Sequence, residues 1–132
     1  MGPNDAELVQ VYTRNVGKTI ADVTFSSTAD FEVVVEVEAG DAMFSAGAEY
    51  TVDIVVRDLT ANDTIPFTPG RIKDNLGKPT WPKEDNAFVF TVQAANLASR
   101  KGHLCEVHGY LLVGIRNFDS SFARSRTFLI QP

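Results

Sequence analysis

The chain of 132 residues contains one cysteine, two histidines and one tryptophan. No apolar run approaches the roughly 20 residues that span a bilayer. Cys105 has no second cysteine to pair with, so a disulfide-stapled secreted module is excluded. The polar start, MGPNDAELVQVYTR, lacks the apolar stretch of a signal peptide. An MGP opening is of the kind that cloning leaves behind. The expectation is therefore one soluble domain over residues 1–132, excised from a longer chain. Basic residues are outnumbered, 12 against 17 acidic ones, for a net charge of -5 and a pI of about 4.9. Such a surface repels phosphate, and nucleic acid is not an expected partner. Arg116, Arg124 and Arg126 sit close together near the C-terminus. With Asp119 beside them and a strand-like pattern around them, they read as a solvated edge.

Catalytic and metal-binding constellations are equally scarce. His103 and His108, five residues apart, face opposite sides if they share a strand. Cys105 falls on the His103 side, but side chains two apart on a strand are about 6–7 Å from one another, which is long for an activated nucleophile. A buried thiol with two unremarkable histidines is the expected outcome, and no enzyme activity is expected. No C-x-x-C, H-E-x-x-H, EF-hand or phosphate-cradling glycine motif occurs, so no cofactor is implied. Asp58, Asp63, Asp74, Asp85 and Asp119 fall singly in apparent turns, where aspartate bonds its local backbone. Their convergence on Ca²⁺ is a minor alternative. Carbohydrate binding is the stronger alternative; it would need Trp81 exposed beside Tyr12 or Phe67.

What the chain has is alternation. In FEVVVEVE, Phe31, Val33, Val35 and Val37 face one way and Glu32, Glu36 and Glu38 the other, with Val34 among the glutamates. Period-two alternation marks a half-buried strand of an antiparallel sheet. YTVDIVVR (Tyr50–Arg57) and AFVFTVQA (Ala87–Ala94) repeat it. LVQVYT (Leu8–Thr13), IADVTF (Ile20–Phe25) and SRTFLI (Ser125–Ile130) are weaker versions. HLCEVHGYLLVGI (His103–Ile115) is apolar on both faces in its second half, as a central strand would be; Gly109 and Gly114 in it mark a bulge or a close backbone approach. Turns are expected at Asn15–Gly17, Ala39–Asp41, Ser45–Gly47, Asn62–Asp63 and Asn117–Asp119. Only QAANLASRK (Gln93–Lys101) leans helical, and it is long enough for one short helix or 3₁₀ turn.

Seven strands with almost no helix predict an all-β sandwich of two antiparallel sheets. Three features resemble the immunoglobulin-like or fibronectin type III-like class: Gly47, Tyr50 and Val52 leading into a long strand, Glu106–Tyr110 in a late central strand, and Ser125, Phe128 and Ile130 in the last. The resemblance implies a fold and no activity.

Leu59–Asn86 shows no alternation, and a connection of that length is uncommon in a compact domain. Thr64–Phe67 and Arg71–Lys73 are its only fragments fit for short edge strands beside the prolines. Ile65, Phe67, Ile72, Leu76 and Trp81 are spaced to dock it on the core, with Trp81 as a lid. In the alternative reading, Arg71, Lys73, Trp81 and Lys83, with Lys78, form a basic-aromatic binding patch on an acidic protein. The expected function is a non-enzymatic binding or structural module that contacts another protein or a neighbouring domain.

Overall fold

The computed structural model describes residues 6–78, 81, 87–114 and 118–132. Its strands are β1 (Ala6–Asn15), β2 (Thr24–Phe25), β3 (Phe31–Ala39), β4 (Glu49–Asp58), β5 (Asp63–Ile65), β6 (Ile72–Asn75), β7 (Ala87–Val92), β8 (Leu104–Gly114), β9 (Phe118–Arg124) and β10 (Phe128–Ile130). A six-residue helix, α1 (Asp41–Ala46), precedes β4, and a 3₁₀ turn at Ala94–Asn96 links β7 to β8. The smaller sheet has the order β1-β3-β7. The larger has β2-β10-β8-β4-β5, with β6 also on β4 and β9 also on β8. Every pairing is antiparallel except that of β2 with β10. This is a sandwich of two sheets, as the alternation predicted, in the immunoglobulin-like strand order that the resemblance implied.

Alternation selects which side chains meet between the sheets. Phe31, Val33, Val35 and Val37 of β3 face Tyr50, Val52, Ile54 and Val56 of β4, with Cys105, Val107, Leu111 and Val113 of β8 beside them, all buried. Each such side chain stabilises the fold by roughly 1.5–3 kcal/mol. Aromatic rings close both ends. Phe25, Phe31 and Phe128 pack with centroids 4.4–5.6 Å apart at one end. At the other, Trp81 stands edge-on to Phe44, Tyr50 and Phe88. Val34, on the outer face of β3, is buried as well, because its cross-strand neighbours Tyr12 and Val89 flank it.

The long connection supplies the two short strands expected of it. β6 pairs with Glu49–Val52 and β5 with Val56–Asp58, so the two lie end to end along one side of β4. Between them the chain crosses to the smaller sheet, where Thr68 exchanges two backbone hydrogen bonds with Thr91 of β7.

Four expectations are corrected. Of Ile20–Phe25 only Thr24–Phe25 is strand. Asp22 Oδ1 accepts the Val23 and Thr24 N–H groups, and Asp22 N–H donates to Thr13 O, which bends the segment. The turns expected at Ala39–Asp41 and Ser45–Gly47 are instead the two ends of α1. Gly47 takes the left-handed conformation (φ 63°) that lets a helix stop, its N–H bonding Phe44 O while Ala48 N–H bonds Met43 O. Phe118 and Asp119, expected in a turn, begin β9; Asn117 lies outside the described residues. Asp58, Asp63 and Asp74, expected in turns, lie in β4, β5 and β6, and Asp58 is wholly buried. Gly109 is the close approach anticipated: a Cβ there would sit 2.7 Å from Val11 Cγ2 of β1. The β8 register runs unbroken through Gly109 and Gly114, and the irregularity falls in β1, between Leu8 and Gln10.

Candidate functional site on the outer face of the larger sheet

Register places three side chains in one row across this face. Asp53 of β4 is opposite Tyr110 of β8, which is opposite Phe122 of β9. The next row holds Lys73, Thr51, Leu112 and Ser120, and the row on the other side Val55, His108 and Arg124. Phe122 is 74% exposed, and its ring tilts against that of Tyr110 at 6.2 Å. Arg71, entering β6, lies over the Tyr110 ring at 6.0 Å. Its Nε donates to Asp53 Oδ2 at 3.0 Å, and the Tyr110 hydroxyl donates to the same oxygen at 3.4 Å. Asp53 Oδ1 is taken by the Ile54 N–H.

This arrangement is electrostatically coherent. The hydrogen bond to Asp53 raises the Arg71 pKa, with the Asp53 charge adding to it. Burial, and then the Asp53 charge, push the Tyr110 phenol up, so it stays neutral and donates. The guanidinium is thus held over an aromatic ring while its own side chain remains 62% exposed. Lys73 is exposed next to it and has no ion-pair partner among the described residues, and the same holds for Arg124. Exposed aromatic and arginine side chains in one patch are the usual anchors of protein contacts.

The four residues singled out from the sequence separate. Arg71 and Lys73 share this face. Trp81 is buried at the end of the core, its backbone N–H donating to Lys78 O, and so occupies the lid position. Lys83 lies outside the described residues, as do Asp85 and Arg116. Trp81, Tyr12 and Phe67 do not converge: Tyr12 is on the outer face of the smaller sheet and Phe67 packs edge-on to Phe90. The aromatic component of the patch is Phe122 with Tyr110, which sequence reading missed. Its signal is present in FDSSFAR, where Phe118 and Phe122 alternate with polar residues, within the strand-like pattern around Arg124 and just after the turn expected at Asn117–Asp119.

A second polar cluster closes one end of the sandwich. The Asp58 carboxylate receives Arg100 Nη1 at 2.8 Å, His103 Nδ1 at 2.6 Å and the Ala61 N–H at 2.9 Å. Arg100 also bonds Asp63 and reaches Thr64 O. Burial opposes ionisation of Asp58, but the bonds from His103, Ala61 and Arg100 outweigh it and hold the pKa below the ordinary carboxylate value. Cys105, paired in register with Asp58, is fully buried; burial and the Asp58 charge push its thiol up to about 12. Asp58 and Asp63 are thus occupied by Arg100, and no group of three or more ligating side chains is assembled among the described residues. A groove of about 690 Å³ runs between β1 and the β9–β10 region, bordered by Val11, Thr13, Asp22, Val23, Ala123 and Arg124.

No protein-family model matches the sequence, and no curated protein matches it. Among solved structures the chain is similar to AggA, the major subunit of aggregative adherence fimbriae type I from Escherichia coli, at 11% identity and a TM-score of 0.43, over 93% of this chain and 97% of that one. It is also similar to the periplasmic chaperone SfaE, at 11% identity and a TM-score of 0.44, over 92% of this chain and 57% of that one. At these values the likeness bears on neither activity nor partner.

Proposed function

We propose that the protein is a non-enzymatic contact module that docks another protein, or a neighbouring domain of the same polypeptide, on the outer face of its larger sheet. Phe122 is the anchor, Tyr110 its platform, and Arg71 and Lys73 the cationic rim. Trp81 serves the site indirectly, by seating on the core the connection that carries Arg71 and Lys73. The observation that carries the reading is Phe122: a phenylalanine 74% exposed on the outer face of β9, its ring against Tyr110, over which Arg71 lies. A non-enzymatic role is supported by the charged cluster, whose acid and base are bonded to one another and whose thiol is buried and protonated. Titration of a purified partner by calorimetry tests the reading. Phe122→Ser weakens binding at least tenfold, and Arg71→Ala and Lys73→Ala weaken it less. Unchanged affinity in all three folded variants overturns it.

A further inference from the structure

The outer face of the smaller sheet is the electrostatic counterpart of the contact surface. It carries Glu7, Glu32, Glu36 and Glu38 against one cation, Arg14, which is spent on Glu32 at 2.9 Å. Glu7 and Glu38 stand directly opposite one another across β1 and β3. Like charges so placed are destabilising in an isolated sheet. Glu7, Glu36 and Glu38 have no cationic partner among the described residues, Glu36 accepting only the Gln10 amide. At the centre of this face is an apolar row, Tyr12–Val34–Val89, with Val89 exposed. The contact surface has an apolar centre at Phe122 and Tyr110, with Lys73 and Arg124 unpaired to either side; of its carboxylates, Asp53 is bonded to Arg71 and Glu106 to His108, and Glu49 lies at the start of β4, so cations are in excess there.

We infer that the occupant of the contact surface is a second copy of this chain, docked back to face, with the glutamate-bearing outer face of one molecule's smaller sheet on the Phe122 face of the next. This occupant presupposes the contact surface proposed above. The two faces differ, so the contact is heterologous: it leaves one of each kind free at the ends and propagates. Three strands about 4.8 Å apart and nine residues long at about 3.3 Å present roughly 14 × 30 Å. That is below the ~800 Å² per partner of a standard stable interface, so the association is weak and concentration-dependent.

Sedimentation velocity of the intact chain, from about 10 µM to about 1 mM at low and high salt, tests it. Wild-type protein grows beyond dimer with concentration and reverts toward monomer in high salt. Phe122→Ser, with Lys73→Glu as an independent second variant, removes the contact surface. The double variant Glu36→Lys/Glu38→Lys removes the opposite face. Each is monomeric alone, and an equimolar mixture of a variant from each side forms a dimer that does not grow, because each supplies the face the other lacks. Wild-type protein monomeric throughout overturns the inference and leaves the contact surface to its own titration. Association lost in Phe122→Ser and Lys73→Glu but kept in the glutamate variant, with no effect of mixing, upholds the surface and overturns the back-to-face arrangement.

Discussion

Asp58 ends β4 with a carboxylate that no solvent reaches, and Arg100 and His103, in the β7–β8 connection, hold it. Replacing Arg100 by Met leaves that carboxylate short of its main counter-charge. The expected cost is about 3–5 kcal/mol, read as a lower urea midpoint at unchanged slope. The pH dependence follows from the same bonds. Asp58 ionises more readily folded than unfolded, so its contribution is complete above its unfolded pKa, about 3.9, and is lost as pH falls through the lower folded value. Asp58→Asn removes this acid-side slope, and urea midpoints measured from neutral pH into that range check it. Cys105 faces the core beside Asp58 with its pKa pushed up to about 12, so a thiol reagent at mildly alkaline pH labels it only in denaturant. Rapid labelling of the folded protein contradicts this.

At the scale of elements, two contacts hold the sandwich in register. β1 lies on β8 at Gly109, where Val11 occupies the space a side chain would need. Gly109→Val is expected to cost about 1–3 kcal/mol or more, and Val11→Ala in the same chain restores part of it, as a double-mutant cycle in thermal unfolding would show. The Trp81 lid differs in kind. Trp81→Ala removes a ring packed on three others and costs about 3–5 kcal/mol, whereas Trp81→Phe retains most of that packing and costs less. These elements also show what was legible beforehand. Strands with apolar residues on the inner face, such as β3, β4, β7 and β8, could be read directly from alternation. β9 could not, because its phenylalanines face outward and its inner positions are Asp119, Ser121 and Ala123. α1 was hidden by its brevity between two glycines, although Asp41 in its first turn and Gly47 as its stop are helix signals. β2 was overestimated because nothing in IADVTF announced that Asp22 would cap its own backbone. Arg71 and Lys73 were legible as cations on an acidic chain. Trp81 was legible as a lid on the core; that Phe122 would stand in its place beside Arg71 depends on pairings between strands far apart in sequence.

For the whole molecule, with aromatic clusters at opposite ends of one core, we expect a single cooperative unit. Trp81 fluorescence, which reports one end, and far-UV circular dichroism, which reports both sheets, are expected to give coincident denaturant transitions. Separate midpoints would mean that the Trp81 end opens on its own. One feature of the architecture has a mechanical meaning. Thr68 belongs to a connection whose two flanking strands lie in the larger sheet, yet it is bonded twice to Thr91 in the smaller. The chain is therefore sewn through both layers at that edge. Shear that slides one sheet along the other loads these two bonds together, and they must break before the layers can move apart. Resistance to force on this side of the sandwich comes from a backbone stitch as well as from the apolar packing beneath it.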